Sequence, residues 1–136
     1  MIRLGVRAAI VAIGCVALAG GLIVGISDNP PGIALVYGAL ICLVLAVVYR
    51  WRRPKSFFLL FALSGLGFVV FAILHNVFYA IGESVDIVWV KALMEGLHVG
   101  AFLIAILLCP AATLVGLVGW IAALIRGKRD SAIATG

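Results

Sequence analysis

The chain is poor in charge: Asp, Glu, Lys and Arg make up 11% of its 136 residues, against 66% hydrophobic. Soluble domains carry about 25% charged and about 45–50% apolar residues, and no water-facing globule of this size can hide the excess. With a mean hydropathy of +1.34, the solvent is the bilayer. Ionisable groups are absent from the apolar stretches themselves, where the polar side chains are Ser64, Thr113, Tyr37 and the cysteines. Ion-coupled transporters and proton pumps place a carboxylate, histidine or cation at depth as the coupling site, so that class is excluded. Intramembrane proteolysis is excluded with it, for want of a buried serine–histidine or aspartate pair.

Cysteine is scarce and unpaired in pattern. Cys15, Cys42 and Cys109 each lie within an apolar run, and none belongs to a C-x-x-C, so thiol–disulfide redox chemistry lacks its working parts. They read as small packing residues. A phosphate-binding glycine loop is missing too: Gly65-Leu66-Gly67 lies inside an apolar run and follows no strand.

What is present is four charge-free apolar stretches, residues 8–26, 33–49, 56–74 and 99–125, the last two extending to expected spans over 56–82 and 97–125. Each reaches the roughly 17–25 residues that a helix needs to cross the hydrocarbon core. The expected fold is all-α, a polytopic membrane protein of four transmembrane helices in one domain over residues 1–130, with a short tail at 131–136. Ser27-Asp28-Asn29-Pro30-Pro31-Gly32 reads as a tight turn between the first two spans, because proline lacks a donor and disfavours helix before it. Arg50-Trp51-Arg52-Arg53-Pro54-Lys55 does the same between the second and third. Between His75 and His98 the link is longer; Ser84, followed by Asp86, is read as a helix start. A helix from there through Trp89, Lys91 and Met94 into the fourth span predicts a hairpin of spans three and four that projects on the outer side and turns near Gly82-Glu83. Pro110, inside the fourth stretch, predicts a kink.

Sorting charges by alternating side puts Arg3, Arg7, Arg50, Arg52, Arg53, Lys55, Arg126, Lys128 and Arg129, with Asp130, on one face of the membrane. Lys91 faces Asp28, Glu83, Asp86 and Glu95 on the other. The positive-inside rule then predicts an antiparallel N-in/C-in bundle in the cell membrane, both termini cytoplasmic. Tyr49, Trp51 and Trp120 fall toward the inner interface and Tyr37, Tyr79 and Trp89 toward the outer one. Juxtamembrane clusters of cations suit topology and anionic lipid better than a phosphate-tracking face, so no nucleic-acid partner is expected despite the net charge of +5. Arg3 and Arg7 before an apolar run resemble a signal-peptide n-region, but the run continues unbroken to Ile26, and the first span is read as retained.

Sixteen glycines have a reason in lipid, where small residues let helices approach closely. Ala17, Gly21 and Gly25 in the first span recur every four residues, as do Ala101, Ala105, Cys109 and Thr113 in the fourth. These are expected helix-packing seams, within the chain or between copies.

The remaining chemistry lies between His75 and His98. Glu95-Gly96-Leu97-His98 sets a carboxylate and an imidazole on one helical face, the spacing used in carboxylate-bridged metal bundles. His75 on the neighbouring helix is a candidate third ligand. Counted from Lys55 and from Arg126, however, the two histidines differ in height by about 12 Å of helix. The first expectation is therefore a non-enzymatic accessory or scaffold subunit, or a self-associating bundle, in contact with the bilayer and a membrane partner and carrying no cofactor. Two alternatives stand beside it: a metal- or haem-binding protein using His75, Glu95 and His98, and an oligomeric channel or carrier for a neutral solute.

Overall fold

A computed structural model describes residues 2–25 and 29–134, with side chains over 5–25 and 29–129. It is helical, with α1 (Ile2–Val24), α2 (Pro30–Val48), α3 (Pro54–Ser84), α4 (Val88–Leu103) and α5 (Cys109–Ala134), the last two joined through a π-turn at Ile104–Leu108. Four helical stretches are long and apolar enough to cross a membrane: Gly5–Val24, Pro30–Val48, Pro54–Ser84 and Val88–Arg129.

Prolines set two of the starts. Pro30 and Pro54 open α2 and α3 at the first helical position, where the missing N–H would be unsatisfied in any case and φ is already helical. The turn expected at 27–32 therefore gives up its prolines to α2, while Ser27 and Asp28 lie outside the described residues. Gly25 ends α1 at φ +88°, its N–H donating to the carbonyl of Gly21 at 3.0 Å, a left-handed cap that glycine adopts without steric cost. The Asn29 side chain donates to the carbonyl of Val24 at 3.0 Å, so it serves the end of α1 and leaves the start of α2 without a side-chain cap.

Helix contacts among the described residues run in a row. The first helix packs on α2 alone, α2 on α5 and the π-turn, and α3 along α4, the π-turn and α5. The spatial order is thus α1, α2, fourth span, α3; helices in a row surround no lumen. Neighbours in the α1/α2 pair are antiparallel, with Gly14 against Cys42 and Gly21 against Val36. Antiparallel pairing also holds for α3 with the fourth span, where Phe57 meets Gly119, Phe61 meets Gly116 and Gly67 meets Cys109. Extending these registers brings Arg7 level with Tyr49, and Arg126 to the end occupied by Arg50, Arg52, Arg53 and Lys55. One end of the row is basic. The other, at the α3/α4 turn, carries Glu83, Asp86, Lys91 and Glu95.

With 31 residues, α3 is about 46 Å long, more than the roughly 30 Å of hydrocarbon. The hydroxyl of Tyr37 on α2 reaches the carbonyl of Ile106, a register that puts Pro30 level with residue 99. The α3/α4 hairpin therefore runs about 16 Å beyond the α1/α2 pair. Its turn differs in detail. Ser84 is the last residue of α3 and donates to the carbonyl of Ile81 at 2.9 Å, while Val85, Asp86 and Ile87 form the link. Ser84 is not the start of the next helix, because α3 keeps its own hydrogen-bond ladder beyond the expected Gly82-Glu83 break. At the other end α5 continues through residues 131–134 of the expected tail.

The packed core is made of small residues. Ala101, Ala105, Cys109, Ala111, Ala112 and Val115 of the fourth span are buried, with Val36, Ala39, Ala46 and Val48 of α2. Between α5 and the backbone of α3 the closest approach is at Gly116, where an added Cβ would stand 2.6 Å from the backbone nitrogen of Phe61; the two helices meet there backbone to backbone. Ser64 and Thr113 tie the same pair. The Ser64 hydroxyl donates to the carbonyl of Leu60 at 2.6 Å and receives Thr113 at 3.0 Å, whose single proton is shared with the carbonyl of Cys109 at 2.8 Å.

Candidate functional site: the paired histidines and the outward face of the first helix

His75 of α3 and His98 of α4 meet at the level where the hairpin leaves the other helices. Their rings stack, with centroids 4.2 Å apart and planes inclined by 21°. Phe102 lies 5.2 Å from His75, and Tyr79 lies 5.4 Å from His98. The 12 Å height difference expected from the basic boundaries is removed by register and stagger. Phe57 faces Gly119, so Arg126 lies beyond the level of Lys55, and His98 then reaches back one turn to lie between His75 and Tyr79.

Each ring is bonded to the other residue's backbone. Nδ1 of His75 is 3.2 Å from the carbonyl oxygen of His98, and Nδ1 of His98 is 3.4 Å from that of His75. A carbonyl only accepts, so both Nδ1 atoms carry the proton and both Nε2 atoms keep a lone pair in the neutral ring. Such an Nδ1–H contact is common behind metal-bound histidines, but the stack opposes a shared ion. Lone pairs lie in the ring planes, and two nearly parallel planes about 4 Å apart do not converge on one centre at the roughly 2.0–2.1 Å of a zinc–nitrogen bond. Trans ligation of one haem iron fails for the same reason.

Glu95 is exposed on α4. Among the described residues no three of His, Cys, Asp and Glu gather so as to hold a metal ion. The structure thus brings His75 and His98 together without Glu95, and the three-ligand arrangement expected from Glu95-x-x-His98 is not formed. Within the motif His98 turns toward α3, whereas Glu95, about 60° round the helix, is left exposed.

The expected small-residue seams pack inside the chain at all their residues but Ala17, which is half-buried. Gly21 meets Gly32, Leu35 and Val36, Gly25 meets Gly32, and Cys109 meets Gly67; Ala101 and Ala105 are 3% exposed. A second stripe on α1 escapes the reading by fours. Ala8, Ala12, Cys15 and Ala19 are all exposed and fall at i, i+4, i+7 and i+11. At about 100° per residue they share one narrow face, about 140° from the Gly14/Gly21 face seated on α2.

No family model, curated protein or solved structure matches the chain. Its function is therefore read from the geometry of this molecule.

Tyr37 has a partner that sequence reasoning misses. It lies within α2, as expected of the second span, and its hydroxyl donates to the carbonyl of Ile106 in the π-turn. A signal exists in the chain: Pro110 has no N–H to give the carbonyl four residues earlier, which is that of Ile106.

Proposed function

We propose that the protein is a non-enzymatic accessory subunit of the cell membrane, both termini cytoplasmic, that docks a neighbouring transmembrane helix on the outward face of α1. One observation carries this reading: α1 stands at the edge of the row, held by α2 alone, with the open stripe Ala8, Ala12, Cys15 and Ala19 facing away from its one neighbour. In lipid no hydrophobic force draws helices together, and small residues that admit close backbone approach are what favours association. A helix with such faces on opposite sides is suited to lie between two others. Gathering of nine of the ten cations at the basic end supports the orientation.

The stripe is self-complementary, so a second copy related by a twofold axis is the simplest occupant, with a helix of a larger complex as the other. Extraction in mild detergent followed by native mass measurement tests the reading. The expected result is a dimer or a defined complex that Ala12→Leu with Ala19→Leu dissolves; a wild-type monomer with nothing bound would sink it.

A further inference from the structure

At the basic end, α2 and the start of α3 do not touch, although both flank α5. Between them opens a cleft of about 630 Å³, within the roughly 300–1,000 Å³ typical of ligand sites. Its depth is apolar, walled by Leu45 and Val48 of α2 and by Leu114, Val118 and Ala122 of α5. Its rim is cationic: Arg52 and Arg126 line it together with Trp51 and Tyr49. An adjoining recess shares Arg52 and Arg126 and adds Lys128. Among the described residues neither Arg52 nor Arg126 meets a carboxylate within ion-pair distance. The cleft lies on a different part of the molecule from the α1 stripe and is independent of the function proposed above.

Apolar depth below a cationic, aromatic rim is complementary to an anionic amphiphile standing in the bilayer. We propose that this cleft is a specific site for one anionic phospholipid of the leaflet at the basic end, an acyl chain lying against Val48, Val118 and Ala122 and the phosphate held between Arg52 and Arg126. Basic pockets between transmembrane helices are suited to such head groups, and arginine's planar fork matches phosphate oxygens two at a time. Trp51 and Tyr49 belong at that depth, where a ring meets both hydrocarbon and head group.

The test uses the full-length protein equilibrated with equimolar phosphatidylglycerol and phosphatidylcholine, the lipid retained per chain being counted by native mass spectrometry. Wild-type protein retains one phosphatidylglycerol in preference to phosphatidylcholine. Arg52→Gln with Arg126→Gln lowers that preference about thirtyfold, from about 1 kcal/mol per cation. Arg53→Gln with Lys55→Gln removes the same charge from the same end outside the cleft and leaves the preference within twofold. Ala122→Phe, which fills the cleft with both arginines intact, abolishes retention; it also decides the matter should the arginine pair prove necessary for folding. Equal retention of the two lipids by the wild type overturns the proposal. So does an equal loss in the two double variants, which would mean general surface attraction, or retention unchanged in Ala122→Phe. Cross-linking of a protein segment, rather than lipid, to a photoreactive group on Ala122→Cys overturns it as well.

Discussion

Pro110 and Tyr37 act on the same atom. The proline, lacking an N–H, leaves the carbonyl of Ile106 without its usual donor, and the tyrosine hydroxyl from α2 donates to that carbonyl. The backbone around it takes up the disturbance as a π-turn over Ile104–Leu108, with the N–H of Cys109 donating five residues back to Ile104. In hydrocarbon, where water cannot serve a carbonyl, such a repair is worth more than a packing contact. Among the described residues it is also a polar tie between the α1/α2 pair and the rest of the row.

Tyr37→Phe should therefore destabilise the protein by about 1 kcal/mol, the scale of interhelical hydrogen bonds in membranes. In a Pro110→Ala background the same change should cost less, because the alanine restores a backbone N–H that can serve the Ile106 carbonyl from within the helix. A double-mutant cycle from unfolding in mild detergent measures the coupling; additive effects of the two substitutions would contradict it.

Gly116 is expected to be the least tolerant glycine of α5. A Cβ there would stand 2.6 Å from the Phe61 nitrogen and 2.9 Å from its Cα, backbone atoms that move only if the helices part. Gly116→Val should cost about 1–3 kcal/mol, the usual penalty of overpacking. Gly38→Ala, with nothing within 4 Å of the added carbon, should be neutral or stabilising. Comparable melting temperatures for the two variants would speak against the close approach.

The four-span fold is legible in the sequence because charge-free length and turn chemistry act locally. Residues 56–82 and 97–125 can be read from hydropathy alone, and sorting of Arg50, Lys55 and Arg126 from alternation of sides. Neighbour relations are not legible, since a small stripe such as Gly21 and Gly25 looks the same whether it faces α2 or another molecule. The histidines show both limits. Their proximity is obscured by counting from basic residues that do not share a level, and Glu95 looks like a ligand because i, i+3 spacing says nothing of which face a neighbouring helix covers. Tyr37 reads as an interfacial aromatic because its partner is a backbone carbonyl, which no residue type announces.

The histidine pair makes a spectroscopic prediction. Nitrogen NMR of ring-labelled protein in its neutral form should show both His75 and His98 protonated at Nδ1, and His98→Ala should release the signature at His75. Loss of the stack should cost about 1 kcal/mol. Titration with zinc or with haem should give no stoichiometric site that depends on both residues. A tight one-to-one complex lost in His75→Ala and in His98→Ala would mean that the rings unstack to bind.

The docking face of α1, on which the proposed function turns, is tested most directly at Cys15, which is exposed within the stripe. With Cys42 and Cys109 replaced by alanine, a benzophenone maleimide is attached to Cys15 in native membranes and activated by light. The expected result is a discrete protein adduct, with a second copy of the chain or with one partner, and none from the same label on Leu63→Cys of α3, also exposed. Labelling at Cys15 that yields lipid adducts alone, as at position 63, would contradict it.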